Sequence, residues 1–201
     1  MRVVKIGITG GIGSGKTFVA GLLARRGIPV YSTDAAAKRL MKDSESIRRQ
    51  LKAVVGDEVY RADGSLNKEL LSDYLFADSS HARKVNAIVH PVVRRDFLCW
   101  ASAQAVPVVA MECAILYESG FDQLVDEVLL VVAPESVRIR RTMARDGLSE
   151  AQVRARVSAQ MKDEERVSRA KYVIHNDGVS DVGTEVDRVL SRIMGCGAAK
   201  D

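Results

Sequence analysis

The chain has 201 residues, of which 47% are hydrophobic and 28% are charged, a composition typical of a folded globular domain. This composition excludes wholesale disorder, and a chain of this length can bury a large core without disulfides or metals. The apolar run 128–133 is far shorter than the roughly 20 residues that a membrane-spanning helix needs, and glycines from Gly7 onward interrupt any signal-peptide core. We therefore expect a cytoplasmic protein without a membrane partner.

The cysteines and the distribution of basic residues indicate which metals and ligands this chain can bind. Cys99, Cys113 and Cys196 form no C-x-x-C pair and lie at no zinc spacing from the histidines, which indicates reduced thiols. The formal net charge is +4, and the positive excess lies within the segment 138–171. A local cluster of this kind suits a compact polyanion such as a triphosphate better than a long duplex, so we expect no nucleic-acid partner.

Strand and helix signals alternate along most of the chain. Runs rich in Val and Ile predict strands at 3–9, 106–112, 125–133 and 172–176, and 29–32 is predicted as a short second strand. Apolar residues at helical spacing predict helices over 16–26, 135–145, 150–169 and 179–194. Ser149 and Gln152 form a predicted capping box. This alternation favours a parallel sheet with helices on both faces, whereas the stretch 44–104 carries helical spacing alone and predicts a helical insertion.

A phosphate-loop motif follows the first predicted strand. The pattern G-x-x-x-x-G-K-[ST] is matched by Gly10-Gly11-Ile12-Gly13-Ser14-Gly15-Lys16-Thr17. Its glycines let backbone N–H groups curl around phosphate oxygens, and the following helix adds its positive dipole end. Lys16 would reach the β- and γ-phosphates of ATP, and the Thr17 hydroxyl would ligate Mg²⁺. The strand–loop–helix context favours this interpretation over a glycine turn that merely caps a helix.

Two other nucleotide-binding classes do not fit. The dinucleotide fingerprint fails because Lys16 stands where the third glycine counted from Gly11 belongs. A GTPase would carry N-K-x-D, but the nearest stretch, 67–70, lacks the Asp, and no D-x-x-G follows the strand that ends at Glu112. A small-molecule kinase is therefore the favoured class.

Further motifs resemble those of the dephospho-CoA kinase family, and the resemblance runs from Val4 to about Val189. The matching stretches, in chain order, are 7–16, 27–34, 66–76, 85–94 with its His-Pro pair, 116–120, 141–147, 156–160 and 174–178. The departures from the family pattern are Ser32, Lys38, Ala114-Ile115 and Lys171. Asp34 is retained.

This resemblance implies a three-layer α/β P-loop kinase fold with a five-stranded parallel sheet, a helical insertion and a lid. It implies ATP-dependent phosphorylation of the 3′-hydroxyl of dephospho-CoA, with ATP as co-substrate and Mg²⁺ as cofactor. The expected nucleotide-binding core comprises 1–43, 105–137 and 170–195, the acceptor-binding insertion 44–104, and the basic lid 138–169. The oligomeric state stays open, a homo-oligomer included.

The resemblance also assigns residues to the acceptor side. Asp34 would accept the proton of the 3′-hydroxyl, whereas the alternative is a simple helix N-cap. His90 and Pro91 would contact the acceptor. The alternative is a structural histidine that ends a helix, because the residue before a proline disfavours helical geometry. Lys16, Asp34 and Arg141 form the expected catalytic set.

On the nucleotide side, residues 11–17 are joined by Arg141, Arg145, Asn176 and Gly178. Arg141 and Arg145 are four residues apart and share a helix face, where they would contact phosphates; a solvated basic face is the alternative. Asn176 and Gly178 resemble the loop beside the adenine, and a plain turn is the alternative.

Two other functions stay open from the sequence. One is another small-molecule kinase with the same loop, and the other is a nucleotide-gated RNA-binding regulator that uses the basic segment. Aromatic residues make up only 5% of the chain, and no stretch interleaves basic and aromatic residues as base-stacking proteins do. This composition disfavours the RNA-binding function.

Overall fold

The computed structural model describes residues 3–197, with the side chains of 196 and 197 left out, so Cys196 lies outside the described side chains. Within this range the strands are β1 (Val4–Thr9), β2 (Val30–Ser32), β3 (Val108–Glu112), β4 (Glu127–Val132) and β5 (Tyr172–His175). The helices are α1 (Lys16–Arg25), α2 (Thr33–Asp43), α3 (Glu45–Val55), α4 (Lys68–Ala77), α5 (Ser79–Ser102), α6 (Glu135–Asp146), α7 (Glu150–Ser158), α8 (Asp163–Arg169) and α9 (Val182–Gly197). None of these helices combines the length and apolarity that crossing a bilayer requires.

The strands form one sheet in the order β2-β3-β1-β4-β5. β1 pairs in parallel with β3 and β4, and Ile6 stands opposite Ala110 on one side and Glu127 on the other. β4 pairs in parallel with β5. This sheet confirms the predicted five-stranded parallel arrangement, and the observed strands are slightly shorter than the sequence signals suggested.

The chain divides into two compact units, Met1–Tyr31 with Gln104–Asp201, and Ser32–Ala103. In the first unit, α1 and α9 pack against each other, and α1 also packs against β1 and β3. Ile6, Ile8, Val19 and Leu23 are buried in this core, and burial of each such side chain contributes about 1.5–3 kcal/mol. The packing therefore fixes both ends of the loop between β1 and α1.

The second unit is helical, as predicted for the insertion, and α5 packs against α2, α3 and α4. An ion pair at 2.6 Å between Arg39 and Asp96 also links α2 to α5. Because α2 belongs to this unit, the unit begins at Ser32, before the expected boundary at 44. The expected division into core, insertion and lid stays a prediction.

The alternative interpretation of His90, as a residue that ends a helix before Pro91, is wrong. Pro91 lies inside α5, which continues to Ser102. An internal proline removes one backbone hydrogen bond and costs about 3 kcal/mol. Buried side chains on both sides of Pro91, among them Val85, Val89 and Val93, outweigh that cost by packing the whole helix against its neighbours.

The predicted helix 150–169 is also wrong, because α7 ends at Ser158 and α8 starts at Asp163. The predicted capping box of Ser149 and Gln152 is confirmed at the start of α7. Three acidic residues in the first turn of α8 favour a new helix N-terminus there, since negative charge stabilises that end of the helix dipole.

Candidate active site

The loop after β1 depends on glycine at two positions. Gly10 and Gly13 have φ angles of 154° and 75°, in the left-handed region that other residues rarely adopt. A Cβ on Gly10 would lie 2.3 Å from the carbonyl oxygen of Val131, and one on Gly13 would lie 2.3 Å from that of Arg138. The loop is therefore packed against the end of β4 and against α6 with no room for a side chain.

Lys16 is the first residue of α1, and its ammonium group is bound back onto the loop. Its Nζ donates hydrogen bonds to the carbonyl oxygens of Gly10 at 2.8 Å and Gly11 at 3.1 Å. Among the described residues, no side chain caps the N-terminus of α1, where Gly15 adopts a left-handed conformation. Exposed N–H groups at a helix N-terminus, next to a lysine, form an anion site suited to phosphate.

Thr17 and Glu112 bring two oxygen ligands together beside this loop. The Thr17 hydroxyl donates a 2.6 Å hydrogen bond to Glu112 Oε1, and Glu112 ends β3, opposite Ile8 of β1. Hydroxyl and carboxylate oxygens are the donors that Mg²⁺ prefers, and it takes its other ligands from phosphates and water. Among the described side chains, no group of three or more His, Cys, Asp or Glu could hold a metal ion.

A cleft of about 370 Å³ opens next to the loop and is lined by Gly15, Phe18, Arg141 and Asn176. Arg141 Nη1 donates to the carbonyl oxygen of Asn176 at 2.8 Å. Asn176 Nδ2 in turn donates to the carbonyl oxygen of Ser14 at 2.8 Å. The structure thus brings two of the predicted nucleotide-binding residues, from α6 and from the end of β5, to the phosphate loop.

Arg145 and Gly178 have other partners and constraints. The Arg145 guanidinium pairs with the adjacent Asp146 at 2.7 Å, and this hydrogen bond holds the pKa of the Asp146 carboxyl below its usual range. Gly178 has a φ of 93°. It lies in a turn where the Asp177 carboxylate accepts hydrogen bonds from the backbone N–H groups of Val179 and Ser180. Arg145 is therefore engaged by its neighbour, and Gly178 serves a tight turn.

In the second unit, Asp34 lies in the first turn of α2 with its side chain exposed. The N-cap of α2 is Ser32, whose hydroxyl accepts a 3.4 Å hydrogen bond from the Ala35 N–H. The alternative role of Asp34 as the N-cap is therefore wrong. Its carboxylate is available for another task.

His90 and Pro91 lie in the middle of α5, in the same unit. His90 is half-buried, and Pro91 is exposed. Burial lowers the pKa of His90, and the positive charge of Arg94 lowers this pKa further. The imidazole is therefore neutral near pH 7, with one nitrogen able to donate a hydrogen bond and the other able to accept one.

Comparison with known proteins identifies the family. The sequence pattern of the dephospho-CoA kinase family matches residues 4–181. A dephospho-CoA kinase from Bacteroides fragilis (strain YCH46) is 47% identical over 176 residues, which cover 87% of this chain and 85% of that protein. The chain belongs to the dephospho-CoA kinase family. Members of this family use ATP and dephospho-CoA in the final step of CoA biosynthesis, and the chain is accordingly a kinase.

Solved structures agree with the fold of a dephospho-CoA kinase. A crystal structure of a Thermus thermophilus protein matches with a TM-score of 0.82 and 36% identity, over 97% of this chain and 98% of that one. The dephospho-CoA kinase from Campylobacter jejuni matches with a TM-score of 0.67 and 20% identity, over 94% and 96% of the two chains. At 20% identity, the Campylobacter jejuni structure supports the fold alone. The predicted α/β kinase fold is confirmed.

The sequence did not assign Glu112, Phe18 or Gln160 to the candidate site. Glu112 ends β3 and meets Thr17, and an acidic residue at the end of a strand next to the phosphate-loop strand was the available signal. Phe18 is 52% exposed although it is large and apolar, and it follows the motif directly. Gln160 accepts a 2.8 Å hydrogen bond from the N–H of Ile12, a contact that no local pattern announces.

Proposed function

We propose that this chain transfers the γ-phosphoryl group of ATP to the 3′-hydroxyl of dephospho-CoA, with residues 11–17 as the phosphate site. The observation that carries this proposal is the position of Lys16, whose ammonium is held at the carbonyl groups of Gly10 and Gly11. From there it neutralises charge on the β- and γ-phosphates as the transferring group moves. Lys16, Asp34 and Arg141 are the proposed catalytic residues.

The nucleoside of ATP occupies the cleft beside Gly15 in this proposal. Phe18 lines that cleft, where its exposed ring can pack against a purine base, and Arg141 lines it with a positive charge for the phosphates. Asn176 supports the cleft because it accepts from Arg141 and donates to the loop. Arg145 and Gly178 complete the proposed nucleotide-binding set, and Arg145 exchanges Asp146 for phosphate in order to do so.

Thr17 and Glu112 hold Mg²⁺ in the proposed site. Their oxygen atoms lie side by side, as a shared hydrogen bond at 2.6 Å requires. A Mg²⁺ ion held by these two side chains would supply positive charge that stabilises the phosphates. The two side chains themselves orient these ligands at the edge of the phosphate loop.

The unit Ser32–Ala103 binds the acceptor in this proposal, through Asp34, His90 and Pro91. The exposed Asp34 carboxylate accepts the 3′-hydroxyl proton as the oxygen bonds to phosphorus and the bond from phosphorus to the β–γ bridging oxygen breaks, which releases ADP. Neutral His90 would contact a polar group of the dephospho-CoA acceptor through its imidazole ring. The basic segment 138–169 acts as a lid over the phosphates.

The acceptor itself tests the proposed function. Purified protein with ATP and Mg²⁺ is expected to convert dephospho-CoA to CoA with one ADP released for each CoA formed. The analogue that lacks only the 3′-hydroxyl is the matched control and is expected to give no phosphorylated product. Absence of CoA with the normal acceptor, in protein that still binds ATP, would exclude this reaction and leave a kinase of another small molecule.

The proposed metal ligands predict a change in Mg²⁺ dependence. Thr17→Val and Glu112→Gln are each expected to raise the Mg²⁺ concentration for half-maximal activity by about 10-fold, since each removes or weakens one oxygen ligand. Thr184→Val is the matched control, because the Thr184 hydroxyl donates instead to Asp181 near the start of α9. Mg²⁺ titrations that coincide for all four proteins, wild type included, would refute the metal site.

A further inference from the structure

Arg166 of α8 is a buried guanidinium whose donors are only partly used. The residue is 1% exposed. Its Nη1 donates to Asp163 at 3.1 Å, and its Nη2 lies 3.5 Å from a carboxylate oxygen of Glu118. Neither Nε nor Nη2 has a hydrogen-bond partner among the described residues. Because a buried charge with unmet donors is costly, these two nitrogens point to a ligand that completes the site.

Arg138 of α6 shares the partner Asp163 with this guanidinium, beside the phosphate loop. Arg138 is also buried, at 5% exposed, and its Nη2 donates to Asp163 at 2.7 Å, so Asp163 bridges the two arginines. A Cβ on Gly11 would lie 2.3 Å from Arg138 Nη1 and 3.4 Å from Arg166 Nη1. Both cations are therefore in contact distance of the first half of the loop.

Gln160 fastens the connection between α7 and α8 to the same part of the loop. Its Oε1 accepts from the Ile12 N–H at 2.8 Å, so the amide nitrogen is directed away from Ile12. Lys16 reaches Gly10 and Gly11 from the other end of the motif. In this motif the lysine serves the β- and γ-phosphates, so the cations that meet at Gly11 lie at the terminal-phosphate end of the site.

We infer that Arg166 is a catalytic residue that binds the terminal phosphate of ATP during transfer, with Asp163 and Arg138 as positioning residues. This inference rests on the proposed function, since it assumes ATP in the phosphate loop. Oxygens of the terminal phosphate complete the hydrogen bonds of Arg166 Nε and Nη2, and charge-assisted bonds of this kind strengthen as the transferring group spreads its charge. Asp163 fixes the guanidinium in place and leaves those two donors for the phosphate.

Arg166→Met tests this role, because the loss of a contact with the terminal phosphate weakens binding of an ATP analogue but not of ADP. Removing a donor to the transferring group is expected to lower kcat by about 10²–10³-fold. The Kd of a non-hydrolysable ATP analogue is expected to rise about 10-fold, as for one lost charged contact, while the Kd of ADP stays within twofold. Calorimetric titration with both nucleotides, beside steady-state kinetics, measures these changes.

Arg166→Lys keeps the positive charge and provides a second test in case Arg166→Met does not fold. It is expected to retain the wild-type circular dichroism spectrum and to show the same selective loss for the ATP analogue, at smaller size. Arg26→Met is the matched control, because Arg26 follows the end of α1 remote from the phosphate loop and pairs with Asp187 of α9, and its kcat is expected to stay within twofold.

Lys16→Met, measured in parallel, separates this inference from the proposed function. If it loses analogue and ADP binding while a folded Arg166→Lys keeps wild-type kcat and binds the two nucleotides in the wild-type ratio, the phosphate loop stands and Arg166 is only structural. Equal weakening of both nucleotides in the Arg166 variants would also overturn the contact with the terminal phosphate. If Lys16→Met binds both nucleotides normally, the ATP site itself is refuted.

Discussion

Replacing Lys16 with Met is expected to lower kcat by about 10³-fold or more, the scale seen when one cation that stabilises a transferring phosphoryl group is removed. The ammonium makes two hydrogen bonds to the loop, and it is the charge that the motif directs to the phosphates. Methionine keeps a straight side chain with good helix propensity, so α1 is expected to remain folded. Steady-state kinetics and a thermal melt monitored by circular dichroism measure both effects.

Lys52→Met provides the matched control for this experiment. Lys52 forms an exposed ion pair with Asp57 at 3.8 Å in the second unit. Such pairs contribute about 0–1 kcal/mol, so this variant is expected to keep kcat within twofold. A folded Lys16→Met protein with the same kcat as the Lys52→Met protein would contradict the assignment of residues 11–17 as the phosphate site.

The sheet and the phosphate loop could be predicted because their signals are local. Val- and Ile-rich runs identified four of the five strands, the short segment 29–32 was predicted as the other, and Gly10 and Gly13 have the positive φ angles that a glycine loop allows. Both positions require glycine, because a Cβ at either one would clash with a backbone carbonyl of β4 or α6. Local sequence patterns therefore specified where the phosphate site begins.

Two helices could not be predicted from local patterns, because long-range contacts decide them. Pro91 signals a helix end, but the buried face of α5 extends on both sides of it and packs against three other helices. The break between α7 and α8 has the opposite cause. Around it, Gln160 binds Ile12, and the N–H of Met161 lies 3.5 Å from a Glu118 oxygen, so the chain leaves helical geometry to make distant contacts.

The candidate site shows the same division. Arg141 and Asn176 were found from motifs, but their mutual hydrogen bond required the three-dimensional structure. Glu112 and Arg166 carry weak signals in the sequence, as one acid at a strand end and one arginine in a basic segment. Their significance comes from neighbours far away in the chain and, for Arg166, from burial, which a single sequence does not display.

Asp34→Asn is expected to lower transfer to the 3′-hydroxyl of dephospho-CoA by about 10²–10⁴-fold, the effect of losing a positioned proton acceptor. Asparagine keeps the size of the side chain but not its charge or its basicity. Because Ser32 caps α2, the substitution removes no capping bond, and the loss of a first-turn charge costs only about 0.3–1 kcal/mol. The variant is therefore expected to fold, with the KM for ATP within twofold of wild type.

Whether Asp34→Asn changes kcat or the KM for ATP shows which substrate Asp34 acts on. Asp43→Asn, at the exposed C-terminal end of the same helix, is the matched control and is expected to leave both parameters within twofold. A loss in Asp34→Asn that lies wholly in ATP affinity would move this carboxylate to the nucleotide side. An unchanged kcat would exclude it as the proton acceptor. A fall in kcat with an unchanged KM for ATP is the pattern of a group that acts on the acceptor hydroxyl during transfer, since uniform binding contributions change KM instead.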